Sequence, residues 1–194
     1  MSLEMDTFVP SVADTHIPLW LSRMRELGML CEIHPGFSFA THTGFLPFKL
    51  RIQDSAHTDL NGVDFMTGFE YYISDFSLEA AQQALEPKPS LLGGLFGKKP
   101  TSKPYASPEI DQYLKRCRKR LQFVWGSADL FELRMATVSS AVLAEITEGV
   151  SSYPADGLWY DRSNAAVQAL SEARAYENSV KPKDLKTHRF ERWL

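Results

Sequence analysis

Three histidines, His34, His42 and His57, fall within 24 residues, alongside Asp54, Asp59 and Asp64. Imidazoles and carboxylates in combination suit zinc or iron, but a metal centre needs three or four of them converging on one point. The spacing here fits no pair on a single helical face or tight loop. His34 precedes a Pro35-Gly36 bend, while His42 and His57 stand among turn-forming residues. Ordinary loop histidines are the better reading, and neither a metal nor another cofactor is expected. A metal-dependent or hydrolytic enzyme remains the alternative, drawing on His34, His42, His57, Asp54 and Asp59. The Gly-x-Ser-x-Gly elbow is absent, and neither Cys31 nor Cys117 stands in a recognisable nucleophile context.

Two stretches suggest binding instead. Lys115, Arg116, Arg118, Lys119 and Arg120 place five positive charges in six positions. On a helix they would oppose Ile110, Tyr113 and Leu114, as a solvated helix end or as a patch for phosphate or nucleic acid. Lys181, Lys183, Lys186, Arg189 and Arg192 would extend such a patch. Leu91, Leu92, Leu95 and Phe96 form an apolar cluster inside an otherwise proline- and lysine-rich segment. Such a cluster either packs back on the core or docks on another protein. Gly93, Gly97 and Lys98 come near a phosphate-binding loop. The second glycine is one place early, however, and Pro100 stands where a strand–loop–helix motif needs Ser or Thr, so that reading fails.

The elements that must position these groups divide at Glu86–Ser107, whose 22 residues hold four prolines, three glycines and four lysines. Neither a helix nor a strand can run through it. Residues 1–86 carry 4 basic and 12 acidic groups, and residues 87–194 carry 17 and 12. Before the division, Pro18 suits a first helical turn capped by Asp14 or Thr15, with Ile17, Trp20, Leu21, Met24 and Leu27 on one face and Gly28 as the stop. Leu30–Ile33 and Phe37–Ala40 read as extended. Leu46, Phe48, Leu50 and Ile52 alternate with polar residues, the period of a half-buried strand, and Pro47 argues for an edge. Val63, Phe65, Phe69, Tyr71 and Ile73 form a second alternating set, broken at Thr67-Gly68. A short helix from Ser77 to Leu85 turns Leu78, Ala81 and Leu85 inward.

After the division, Ser107-Pro108-Glu109 starts a helix whose stripe is Ile110, Tyr113, Leu114, Cys117 and Leu121. Strands are expected near Leu121–Trp125 and Phe131–Thr137, then a helix capped by Ser139 or Ser140 and ended by Gly149. Tyr153–Gly157 reads as a tight turn, and Ser163 caps a last helix bearing Ala166, Leu170, Ala173 and Tyr176. Runs of strands with helices around them predict an α+β class, an antiparallel sheet with helices packed around it. One layered domain is expected over 1–194, with halves 1–86 and 108–194 sharing a core and 87–107 as a flexible loop.

The composition, 44% hydrophobic and 23% charged, is that of a soluble globular protein. No apolar run approaches the roughly 20 residues that cross a bilayer, so no membrane role is expected. The N-terminal residues lack the basic and apolar regions of a secretory signal. Two cysteines, read as buried free thiols, suit a reducing cytoplasm. A net charge of −3 argues against general nucleic-acid binding. The expected function is a non-enzymatic cytoplasmic interaction or regulatory protein, of the kind that serves bacterial immunity, whose partner is another protein bound through Leu91, Leu92, Leu95 and Phe96. Nucleic-acid association through Lys115–Arg120 is the second alternative.

Overall fold

In the computed structural model, which describes residues 3–85, 104–126, 129–160 and 162–193, seven strands form one antiparallel sheet. The strands are β1 (Leu3–Val9), β2 (Leu30–Ile33), β3 (Gly44–Arg51), β4 (Asp64–Asp75), β5 (Lys119–Trp125), β6 (Val150–Tyr153) and β7 (Leu158–Trp159). Their order across the sheet is β2-β3-β4-β5-β1-β6-β7, every neighbouring pair antiparallel. The helices are α1 (Ile17–Glu26), α2 (Leu78–Leu85), α3 (Pro108–Leu114), α4 (Glu132–Ile146) and α5 (Ala165–Ser179). The class is α+β. No helix among the described residues is long and apolar enough to cross a membrane. Leu91, Leu92, Leu95 and Phe96, with residues 87–103 of the expected loop, lie outside the described residues.

Alternation decides which side chains meet. Leu46, Phe48 and Leu50 of β3, Phe65, Phe69 and Tyr71 of β4, and Leu121, Phe123 and Trp125 of β5 are buried on one face with Met5 and Val9 of β1. Trp20 and Met24 of α1, the six apolar α4 side chains from Met135 to Leu143, and Ala166, Ala169 and Leu170 of α5 close over them. The Trp20 indole donates to the Ser139 carbonyl at 3.2 Å, satisfying its one polar atom inside the core. Phe8 points from β1 to the other face. There it stacks on Trp159 at 5.6 Å and meets Phe76 at 4.6 Å, in a smaller cluster with Leu78, Leu114 and Cys117 from α2, α3 and the turn after it.

Pro47 fits because β2 ends opposite it. The His34 amide reaches the Pro47 carbonyl at 3.4 Å, while the His34 carbonyl is turned to the Phe37 amide at 3.0 Å, so no donor is needed from Pro47. Two glycines mark close approaches. A Cβ on Gly68 would lie 2.2 Å from the Leu46 carbonyl oxygen, and one on Gly149 would lie 2.4 Å from that of Phe8. Neither position admits a side chain without displacing backbone.

Several expectations give way. Phe37–Ala40 is irregular, with Phe37 and Phe39 held by packing against Trp20. Asp14 does not cap α1; it opens a 3₁₀ turn, and its carboxylate accepts the Phe39 amide at 2.8 Å. Thr67 keeps the inward alternation of β4, so Thr67-Gly68 is no interruption. Leu85 is exposed, leaving Leu78 as the buried residue of α2. The helix begun at Pro108 ends at Leu114, and Lys119 and Arg120 belong to β5. Phe131–Thr137 is not a strand but the start of α4, and Ser139 and Ser140 are buried in mid-helix. β1, a central strand, was not among the expected elements.

One buried ion-pair network ties the helical layer together. Arg134 of α4 is fully buried, donating from Nε and Nη2 to the two carboxylate oxygens of Glu177 at 2.8 and 2.6 Å, and from Nη1 to Asp54 at 3.1 Å. Arg174 also pairs with Asp54. Burial favours the protonated form of both acids. For Asp54 the two guanidinium groups prevail and hold it below the usual carboxylate range; for Glu177 burial prevails and its value is raised. Removing one member of such a network strands a buried charge, which costs about 3–5 kcal/mol. Arg134→Ala should therefore lose that much in denaturant unfolding, whereas Arg134→Met combined with Glu177→Leu should lose clearly less. Equal losses would contradict the assigned role.

Candidate functional site

The residues singled out for chemistry are dispersed. His34 accepts the Gly36 amide at its Nδ1, 3.1 Å away, and its ring meets Trp193. His42 packs against Phe37 and Tyr71, and its Nε2 is buried without a partner, as is the Tyr71 hydroxyl. His57 places Nε2 3.3 Å from the Glu177 carbonyl. Asp54 belongs to the Arg134 network, Asp59 is exposed, and Asp64 accepts Arg51 at 2.6 and 2.8 Å. Among the described residues no three His, Cys, Asp or Glu side chains stand together as a metal site.

The basic run is likewise divided by the strand it enters. Arg120 grips both oxygens of Asp6 at 2.8 and 2.7 Å, and Lys119 reaches Asp75 at 2.6 Å. Arg116 lies 3.9 Å from Glu148, and Arg118 donates to the carbonyls of Lys115 and Cys117. No continuous basic helix face forms. Cys31 and Cys117 are free and buried, and burial raises both thiols, Cys117 to about 11. Neither is poised as a nucleophile at neutral pH.

A different group of residues, remote from one another in sequence, builds an open cleft. The β4–β5 ladder runs from Glu70 to Asp75. Farther along the same edge of β4, the C-terminal tail takes over: the Met66 amide donates to the His188 carbonyl at 2.7 Å, and the Phe190 amide to the Asp64 carbonyl at 2.9 Å. Between them Thr67–Phe69 has no ladder partner on that edge among the described residues. The notch opens into a cleft of about 440 Å³ lined by Phe45, Met66, Thr67, Gly68, Asp129 and Glu132, with His188, Arg189, Glu191 and Arg192 from the tail.

Asp129, which lines it, is 6% exposed. One carboxylate oxygen accepts the Phe131 amide at 2.8 Å, at the entrance to α4. The other, Oδ2, is shielded from solvent without a full hydrogen bond, as is Thr67 Oγ1, and the Thr67 hydroxyl acts on the Asp129 carboxylate without completing one. Burial pushes the Asp129 carboxyl up to about 6; the Phe131 amide, the nearby Thr67 hydroxyl and His188 oppose the rise, and Glu132 adds to it. Glu132 turns Oε2 to the Gly126 amide at 3.1 Å. The Phe45 ring is 45% exposed and supplies an apolar wall with Met66. In sequence, Asp129 reads only as part of a turn, and nothing relates it to Thr67 or His188.

The chain was compared with family models, curated proteins and solved structures, and none matches.

The Asp129 carboxyl sets a stability test with a definite sign. Its ordinary value is 3.8 and its buried value about 6. Between those values the folded state holds a proton that the unfolded chain has released. The contribution to stability is complete below 3.8 and is lost as pH rises through 6, up to about 3 kcal/mol at 1.4 kcal/mol per unit. Asp129→Asn should therefore be more stable than the parent at pH 7.5, with the gap closing towards pH 4. Equal stability of the two proteins at pH 7.5 would contradict the burial of an unmet charge.

Proposed function

We propose that this chain acts by binding another protein, and that the cleft above Asp129 receives a side chain protruding from that partner. One observation carries the reading: Asp129, a buried acid whose Oδ2 lacks a full hydrogen bond, lines a cleft open to solvent beside the exposed Phe45 ring. Folds rarely leave such groups unmet, and one held at a cost in stability beside an open cleft supports a ligand site there. The volume suits a large side chain or small molecule. A buried polar anchor surrounded by apolar walls is also the setting of an interface hot spot.

Beyond the cleft, the sheet offers a further exposed aromatic side chain, Tyr72 on β4. Two free buried thiols support a reducing compartment, and the cytoplasm is the proposed location. Regulation by protein association fits this arrangement better than hydrolysis, since the histidines first considered for catalysis each face a different part of the fold.

The test is a thermal-shift panel of capped single-residue amides, one for each side-chain class. At least one class should raise the midpoint of the parent protein and leave Asp129→Asn unmoved. A shift of equal size in both proteins, or none with any class, would overturn the assignment.

A further inference from the structure

Resting on that reading of the cleft, we infer that the partner contributes an extended segment with an aromatic side chain, which takes the place of the C-terminal tail along β4 and runs on to Gly68. Residues of a strand turn their N–H and C=O groups to alternate edges, so Asp64, Met66 and Gly68 share one edge. The tail occupies part of it: the Phe190 amide donates to the Asp64 carbonyl at 2.9 Å and the Met66 amide to the His188 carbonyl at 2.7 Å, with Arg189 opposite Phe65. Pro47, opposite Gly68 on β3, turns its carbonyl to the His34 amide, which leaves Gly68 to the tail side. These three residues offer six main-chain groups, of which the tail meets two; among the described residues no other hydrogen bond reaches the rest. An open stretch of strand edge is a template for an incoming main chain.

The tail is a poor occupant for a physical reason. Continuing the register of Arg189 and Phe65 would set residue 186 opposite Gly68, but the Lys186 carbonyl is held by the Leu130 amide at 2.8 Å. No side chain from 186 to 193 is buried; Thr187, Phe190 and Trp193 are half-buried and the others exposed. Its aromatic anchors are Phe190, whose ring centre lies 5.4 Å from Lys49 Nζ, and Trp193, edge-on to His34 at 5.6 Å. A segment without the connection to α5 is free to hold all three residues of the edge. Its path to Gly68 follows the cleft, which Met66, Thr67 and Gly68 line. An aromatic ring at the place of Phe190 takes over the contact with the Lys49 ammonium.

The test uses the full chain and a capped peptide of residues 186–193, read by calorimetry and amide hydrogen exchange. Peptide and tail compete for one edge, so loosening the tail should tighten the peptide by about tenfold in a Phe190→Ser, Trp193→Ser variant. Binding should also slow exchange of the Gly68 amide, which the tail leaves unbonded. N-methylation at the peptide's Phe190 keeps the ring, removes the donor to Asp64 and should cost about tenfold. Phe190→Leu in the peptide should weaken it by a smaller factor, and equal binding would overturn the aromatic requirement. Unaltered binding of the methylated peptide, or unchanged Gly68 exchange, would overturn strand pairing at this edge. A parent chain that sediments as a dimer, and as a monomer once Phe190 and Trp193 are replaced, would overturn a foreign partner in favour of exchanged tails. No binding of the peptide, while a single-residue amide still stabilises the parent and not Asp129→Asn, would overturn the segment alone; failure of both would overturn the cleft reading as well.

Discussion

The buried guanidinium of Arg134 is the interaction on which the helical layer depends. A cation wholly removed from water is tolerated only if carboxylates surround it with good geometry. Glu177 supplies two hydrogen bonds from α5, and Asp54 supplies a third from the loop after β3. Three segments distant in sequence are thus held to one point. Arg134 stands in the first turn of α4, so the same contact fixes where that helix begins. The entrance to α4 in turn carries Phe131, packed on Phe65 of β4 with ring centres 5.0 Å apart, and Asp129 just before it.

Glu177 and Asp129 make an instructive contrast. Both are buried acids with raised values, and in both burial is the largest cause. Glu177 has a bidentate guanidinium partner and closes the structure. Asp129 has one backbone amide, the nearby Thr67 hydroxyl and an oxygen without a full hydrogen bond. The first arrangement stabilises the fold, whereas the second subtracts from stability in a residue that lines an open cleft. That difference in compensation separates Asp129 from Glu177, though His42 Nε2 and the Tyr71 hydroxyl are also buried without partners elsewhere in the fold.

Much of the sheet was legible because its strands are covered unequally on their two faces. β3 shows this best, with Leu46, Phe48 and Leu50 inward and Lys49 and Arg51 in ion pairs outward. β1 was illegible for the opposite reason: Asp6 and Phe8 are covered by the second cluster and Arg120 while Met5, Thr7 and Val9 face the core, so polarity does not alternate. α4 was misread at its start because it is buried nearly all round, which erases the helical period. The basic run from Lys115 was drawn into one helix although charge pairing with Asp6 and Asp75 requires a strand from Lys119. The cleft could not be found from local patterns at all. Its residues come from β3, β4, the entrance to α4 and the tail, and what defines it is a missing partner, a property only the assembled fold possesses.

The central claim is that the fold buries an aspartate whose charge it compensates only in part. A carbon-13 titration of the Asp129 side-chain carboxyl by NMR measures this directly. An apparent value near 6, well above the ordinary 3.8, is the result this account predicts. A value at or below 4 would show a carboxylate already satisfied, and would contradict it.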